Sequence, residues 1–172
     1  VSENSIRGGF VYAKPNYNYS ENTLFTSLQS TTTDNLAAFG YKTTDLSTSV
    51  GTSFQQYENI IFSPEFSIAF ENIEASSTAS SALKKQSGDY FDTYFNHSFV
   101  QDLRNRSYQP TDGFKNVFAQ EIPFIADAYE IGNSFESTAY KKIGNEMVGK
   151  LSFYSKAITS MNNKDVRISK RL

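Results

Sequence analysis

The chain has no cysteine and no tryptophan, one histidine, two methionines and four prolines in 172 residues. Without cysteine there is neither a disulfide framework nor a thiolate metal site, although the compartment is left open. Formal net charge is −2 with the signs interspersed. That excludes a nucleic-acid groove and a polybasic membrane patch. No apolar run exceeds a few residues, so no segment reads as a transmembrane helix. Val1 is followed by neither a charged n-region nor an apolar h-region, so a signal peptide is absent or lies upstream. The most charged stretch in the middle of the chain, Asp102–Phe114, holds neither a glycine-rich phosphate loop nor a nucleophile-plus-base arrangement, and the reading is of a protein that is not an enzyme and needs no cofactor.

What the chain has is aromatic residues, 15 Phe and 11 Tyr, in a pattern of period two. From Ile60 to Glu71, the residues Ile60, Phe62, Phe66, Ile68 and Phe70 share one face. Ser63, Glu65, Ser67, Ala69 and Glu71 share the other. Leu46–Gln55, Phe91–Val100 and Met147–Ala157 alternate in the same way. A helix would scatter these sets around its circumference, whereas a strand segregates them. The pattern predicts about eight strands, at roughly 5–14, 23–32, 45–56, 59–71, 90–102, 114–123, 129–140 and 146–159. Pro64, on an apolar face, cannot donate to a ladder and predicts a bulge or local break.

The connections alternate in length. Short ones fall near Pro15–Asn22, Gln56–Glu58, Asn105–Gly113 and Lys141–Asn145. Long ones are expected at Asp34–Thr44, at the Ser-rich Asn72–Asp89 and from Met161 onward. The link at Ile125–Ala128 is short for its place. Tight turns at one rim and extended loops at the other are the habit of an antiparallel transmembrane β-barrel, as are strands of ten or more residues. Glu65, Glu71, Asp92, Lys115, Glu121, Glu136, Lys150 and Lys156 oppose the Phe faces. A charge facing lipid at mid-bilayer would cost about 2–4 kcal/mol, so in a barrel these residues face a wet lumen. A soluble β-sandwich would bury the Phe face instead, and alternation alone does not separate the two. Loop asymmetry and strand length favour the barrel.

Asp102–Phe114, DLRNRSYQPTDGF, gathers two arginines, a proline and a glycine at a short-turn position. Pro110 ends the strand run, Thr111 and Asp112 suit the centre of a type I turn, and Gly113 supplies a positive φ. Arg104 and Arg106 are expected at a rim, within reach of water or anionic head groups. The run Asp102-x-Arg104-Asn105, followed by Tyr108, Pro110, Thr111, Asp112 and Gly113, resembles the turn motif of the bacterial surface antigen family, the BamA-like outer-membrane assembly factors. Gln109 stands where the family usually has its aromatic, with Tyr108 beside it. Ala13–Leu28 resembles an earlier hairpin of the family. The final DVRISKRL resembles the approach to the long extracellular loop that carries the family's R-G-F motif and folds into the lumen. The similar IRGGF at Ile6–Phe10 has an extra glycine and lies in a strand, so it is read as coincidence.

The resemblance implies an all-β fold that is part of a barrel of about sixteen strands, of which about strands four to eleven are present. It implies truncation at both ends, with POTRA domains upstream and outside the chain. It further implies an insertase in the outer membrane of a Gram-negative bacterium, whose partners are outer-membrane lipids, unfolded outer-membrane clients, periplasmic chaperones and accessory lipoproteins. A translocation pore of the same superfamily and a small eight-stranded barrel are the alternatives.

The remaining polar residues suggest no chemistry. His97 is flanked by Asn96 and Ser98, which point to the opposite face, so the trio cannot converge and His97 belongs at a rim or on the lipid face. Asp45, Asp89, Asp127 and Asp165 read as loop or strand-end carboxylates without metal-ligand spacing. Tyr12, Tyr57, Tyr90, Tyr129 and Tyr154 lie near strand ends and suggest interfacial girdles, although Tyr154 shares the lumen set.

Overall fold

The computed structural model describes residues 4–127, 129–144, 146–162 and 165–171. Eight strands form one sheet in strict chain order: β1 (Asn4–Lys14), β2 (Thr23–Asn35), β3 (Tyr41–Tyr57), β4 (Ile60–Ala75), β5 (Gly88–Asp102), β6 (Gly113–Ala126), β7 (Glu130–Lys142) and β8 (Val148–Ser160). Every neighbouring pair is antiparallel. The alternating, Phe- and Thr-rich sequence requires this, because only an extended backbone places each apolar set on one side.

Which side each set takes decides between sandwich and barrel. Among the described residues only Ile73 and Tyr94 are buried hydrophobic side chains, whereas Phe70 is 54 % and Leu151 75 % exposed. Among the described residues no second sheet covers the Phe face, which excludes the sandwich. Phe54, Phe62, Phe99, Phe118 and Phe135 are register partners across five successive strands. Phe62 and Phe99 stack at 4.7 Å between ring centres, and Phe54 meets Phe62 edge-on at 5.6 Å. The polar face is concave. Phe25 on β2 and Lys156 and Ile158 on β8 line one cavity, so the sheet curls far enough to bring its second and eighth strands to a common space.

Two local expectations need correction, and the break expected at Pro64 is present without a bulge. Asp34–Thr44 is not a long loop, because β2 runs to Asn35 and β3 begins at Tyr41. Only the single helical turn α1 (Leu36–Phe39) intervenes, closed by Gly40 at φ 78°. Asn35 donates to the Tyr41 hydroxyl at 3.0 Å, which ties the two strand ends together. At Pro64 the ladder opens between the pairs Gly51↔Glu65 and Phe54↔Phe62 but keeps its register, and the shift falls later, between Gln55 and Tyr57. Close approach explains the opening's neighbour: a Cβ on Gly51 would strike the Phe25 ring and lie 2.8 Å from the Pro64 carbonyl. Asp45 is no loop carboxylate either. It sits within β3, in register with Glu71 on the concave face.

A bulge that the sequence pattern did not reveal lies on β6, where Phe124 is extra between Pro123 and Ile125, the partners of Tyr94 and Thr93 on β5. Thr93 Oγ1 accepts from the Ile125 amide at 2.9 Å and donates to the Ile125 carbonyl at 3.2 Å, so its hydroxyl replaces the interrupted ladder. The bulge falls beside Asp92 and Tyr94, where the functional geometry begins.

Candidate functional site

After β8 the chain turns inward. The Met161 amide donates to the Tyr129 carbonyl at 2.7 Å, and residues 165–171 then run along the concave polar face. DVRISKR, residues 165–171, is therefore not merely an approach to a lumenal loop: it is itself a segment within the lumen. Arg167 is the centre of the contact and is only 2 % exposed. Its Nη1 donates to Glu71 on β4 at 3.2 Å, its Nη2 makes a short hydrogen bond to Asp92 on β5, and its amide donates to Glu130 on β7 at 2.7 Å. Nη2 also reaches the Tyr94 hydroxyl at 3.2 Å, and that hydroxyl donates to Asp92 at 3.0 Å. The guanidinium lies over the Tyr90 ring, 4.8 Å from its centre.

One planar cation thus joins three strands. Only arginine has the fork to serve several acceptors in one plane while stacking on a ring. Burial opposes the charge on Arg167, but the Asp92 hydrogen bond and the nearby Tyr94 and Glu71 hold its pKa above the ordinary arginine value. It remains a cation. Asp92 and Glu130 are each 2 % exposed and Glu71 is 7 % exposed, so three buried carboxylates depend on that one charge. The fit is incomplete at one edge: Arg167 Nε and Glu130 Oε2 stand 3.6 Å apart, and neither has a hydrogen-bond partner.

Two further contacts extend the clamp. Gln86, in the loop between β4 and β5, accepts from the Ile168 amide at 3.0 Å. Lys170 pairs with Glu121 at 3.1 Å and lies 4.8 Å from the centre of the Tyr94 ring. Tyr90 therefore belongs to the lumen and not to an interfacial girdle. Tyr12, Tyr57 and Tyr129 remain exposed near strand ends.

The turn motif lies at the other end of β5, about 30 Å along the strand from Asp92. The structure brings Asp102, Arg104, Asn105, Thr111, Asp112 and Gly113 together, but not as a simple type I turn. Arg104 does not reach out from the rim. Its Nε and Nη2 both bind Asp102, the former at 2.8 Å. Asn105 braces the loop internally: its Oδ1 accepts from the amides of Thr111 at 3.1 Å and Asp112 at 3.3 Å, while its Nδ2 donates to Thr111 Oγ1 at 2.8 Å. The positive φ expected at Gly113 is present at 92°, and a second occurs at Gln109, φ 46°. Gln109 thus takes a left-handed turn immediately before Pro110. Tyr108 is 78 % exposed and makes none of these bonds.

Because Asn105 carries three of the loop's hydrogen bonds, Asn105→Ala is expected to cost about 1–3 kcal/mol. Faster hydrogen exchange at the Thr111 and Asp112 amides would report it. Unchanged protection there would show that the backbone holds the loop alone.

The alternating pattern placed Glu71 and Asp92 on the polar face but treated them as ordinary lumen groups. It missed the partnership with Arg167 because the residues lie 96 and 75 positions apart. One sequence signal was available: acidic residues repeated on the lumen side of β4, β5 and β7, with few basic residues opposite. Among the described residues no group of three or more His, Cys, Asp or Glu could hold a metal ion.

A single curled sheet with its own tail in the concave face is a barrel wall, and family comparison gives that wall a lineage. The Omp85 superfamily domain matches residues 1–171. The chain belongs to the Omp85 superfamily. Among solved structures, this Omp85 chain is similar to BamA from Haemophilus ducreyi lacking POTRA domains 1–3. The TM-score is 0.78 at 16 % identity, over 96 % of this chain and 35 % of that one. At that identity the likeness is one of fold. The Omp85 chain spans about a third of the BamA structure it matches, consistent with a part of a larger barrel. No curated protein matches it. Membership in the superfamily and the exposed Phe wall together make it an outer-membrane β-barrel protein.

Proposed function

We propose that this chain is wall and lumen of an outer-membrane protein assembly factor, an insertase that assists the folding and membrane insertion of β-barrel clients. The observation that carries the reading is the Arg167 clamp. A lumen crossed by its own tail, held by buried ion pairs to β4, β5 and β7, is a poor open passage. Work on clients then falls to the wall and to the bilayer around it. The similarity in fold to a structure named as BamA supports the same assignment. Partners on this reading are outer-membrane lipids, unfolded clients, and the chaperones and lipoproteins that deliver and receive them. The role requires no covalent chemistry of the chain.

The test is reconstitution of the full-length parent in liposomes, with a urea-unfolded outer-membrane barrel added as client. The client should acquire its heat-resistant folded form several-fold faster than in empty liposomes. If client folding is unchanged while the parent exports one soluble partner in cells, the translocation-pore alternative is correct.

A further inference from the structure

The outward face of the wall is not uniformly apolar. On β5, β6 and β7, His97, Gln120 and Asn133 are register partners and form one continuous polar row. By register their side chains share the side of the Phe residues, although their strands also border the cavity that Lys170 lines. On one side of the row stand Phe99, Phe118 and Phe135, and on the other Phe95 and Ile122. Gln120 lies seven residues from the start of β6 at Gly113 and six from its end at Ala126, close to the middle of the strand.

These groups are only partly satisfied. Gln120 Nε2 donates to Asn133 Oδ1 at 2.6 Å. That bond uses one donor and one lone pair of two side-chain amides, which together offer four donors and four acceptor sites. His97 Nδ1 is buried without a hydrogen-bond partner, surrounded by the rings of Phe62, Phe95, Phe99 and Phe118. Other outward polar groups behave differently. Thr26 and Thr48 donate to the Ser49 and Ser27 carbonyls at 2.8 and 3.0 Å and so satisfy themselves within the sheet.

Resting on the reading of this face as membrane-exposed, we propose that the Gln120–Asn133 pair, beside the enclosed His97, is a docking site for a membrane-embedded partner. The partner is an apolar transmembrane segment bearing an amide or hydroxyl side chain at mid-bilayer. Hydrocarbon offers no donor or acceptor at that depth, and an unsatisfied polar group there is costly. Water from either rim would have to pass an aromatic or aliphatic row set about 7 Å away along the strand. A side chain carried by an apolar segment reaches the row without crossing either barrier, and the flanking Phe rows offer it apolar contact.

The probe is a pair of Leu-rich transmembrane peptides, one with a single central Asn and one all-Leu. Each is titrated against the full-length parent in bilayers, with energy transfer to a fluorophore at Ser155, attached through a cysteine that the chain otherwise lacks. An interhelical-type hydrogen bond in lipid predicts roughly threefold or greater preference for the Asn peptide. That preference should vanish in the Gln120→Leu, Asn133→Leu double variant, whose folding is checked by its heat-modifiable mobility. Equal binding of the two peptides, or a preference that survives both substitutions, overturns the proposal. So does collision of a water-soluble nickel chelate with a nitroxide at Ser155, which would show that a bilayer defect hydrates the row. Nitroxides at Val50 and Ile68 should collide with oxygen and not with the chelate. The opposite result would overturn the membrane-face reading itself, which separates the two failures.

Discussion

Replacing Arg167 with alanine is expected to release residues 165–171 from the lumen. Three buried carboxylates would be left without their cation, and breaking a buried ion pair from one side costs about 3–5 kcal/mol. That corresponds to a loss of roughly a hundredfold or more in the docked population of the tail. Faster hydrogen exchange at Ile168, whose amide now reaches Gln86, and protease cleavage within the tail would report it. Arg167→Lys should restore only part of the effect. A lysine ammonium cannot fork between Glu71 and Asp92 while stacking on Tyr90. The informative companion is Arg167→Met combined with Glu71→Gln, Asp92→Asn and Glu130→Gln, which removes the charges on both sides. If that quadruple variant docks its tail better than Arg167→Ala, the damage comes from uncompensated charge. A tail that stays docked in Arg167→Ala would show that Lys170 and the backbone suffice.

The strands were legible because the pattern that encodes them is local. Ile60–Ala75 needs nothing beyond its own alternation to be read as a strand, and its neighbours read the same way. Membrane face and lumen face followed once the absence of a covering sheet was known, since the same alternation fits a sandwich. Gly113 was legible too, because positive φ has few residue solutions. Illegible features depended on distant partners or on hydrogen bonds within a loop. Asn105 looks like any loop polar residue until its Oδ1 is seen to close on Thr111 and Asp112. Asp34–Thr44 has loop chemistry, yet pairing with neighbouring strands extends β2 and β3 through most of it. Arg167 gave no local sign at all: its role exists only when β4, β5 and β7 curl around it.

Gly113→Val is expected to be the most damaging single change at the turn. At φ 92° glycine is the natural occupant, and a β-branched residue held there stores about 1–3 kcal/mol of backbone strain. Space adds to the cost. A Cβ at this position would run into the Leu103 carbonyl and lie 2.8 Å from Arg104 Cα, both of them backbone and unable to swing aside. The Leu103 amide bonds the Phe114 carbonyl at 2.8 Å, so relieving the clash pulls apart the first rung between β5 and β6. That rung sets the register of Asp102 with Lys115 and of the pairs as far as Tyr94, including Phe99 with Phe118. Ser98→Ala, on β5, removes only a half-buried hydroxyl and should assemble almost normally. The comparison is read as the folded, heat-modifiable fraction of each full-length variant in the outer membrane. A several-fold loss for Gly113→Val beside near-normal Ser98→Ala is the expected result. Equal assembly of the two would mean that the β5–β6 register is set by the Phe rows and the Phe124 bulge, with the turn following them.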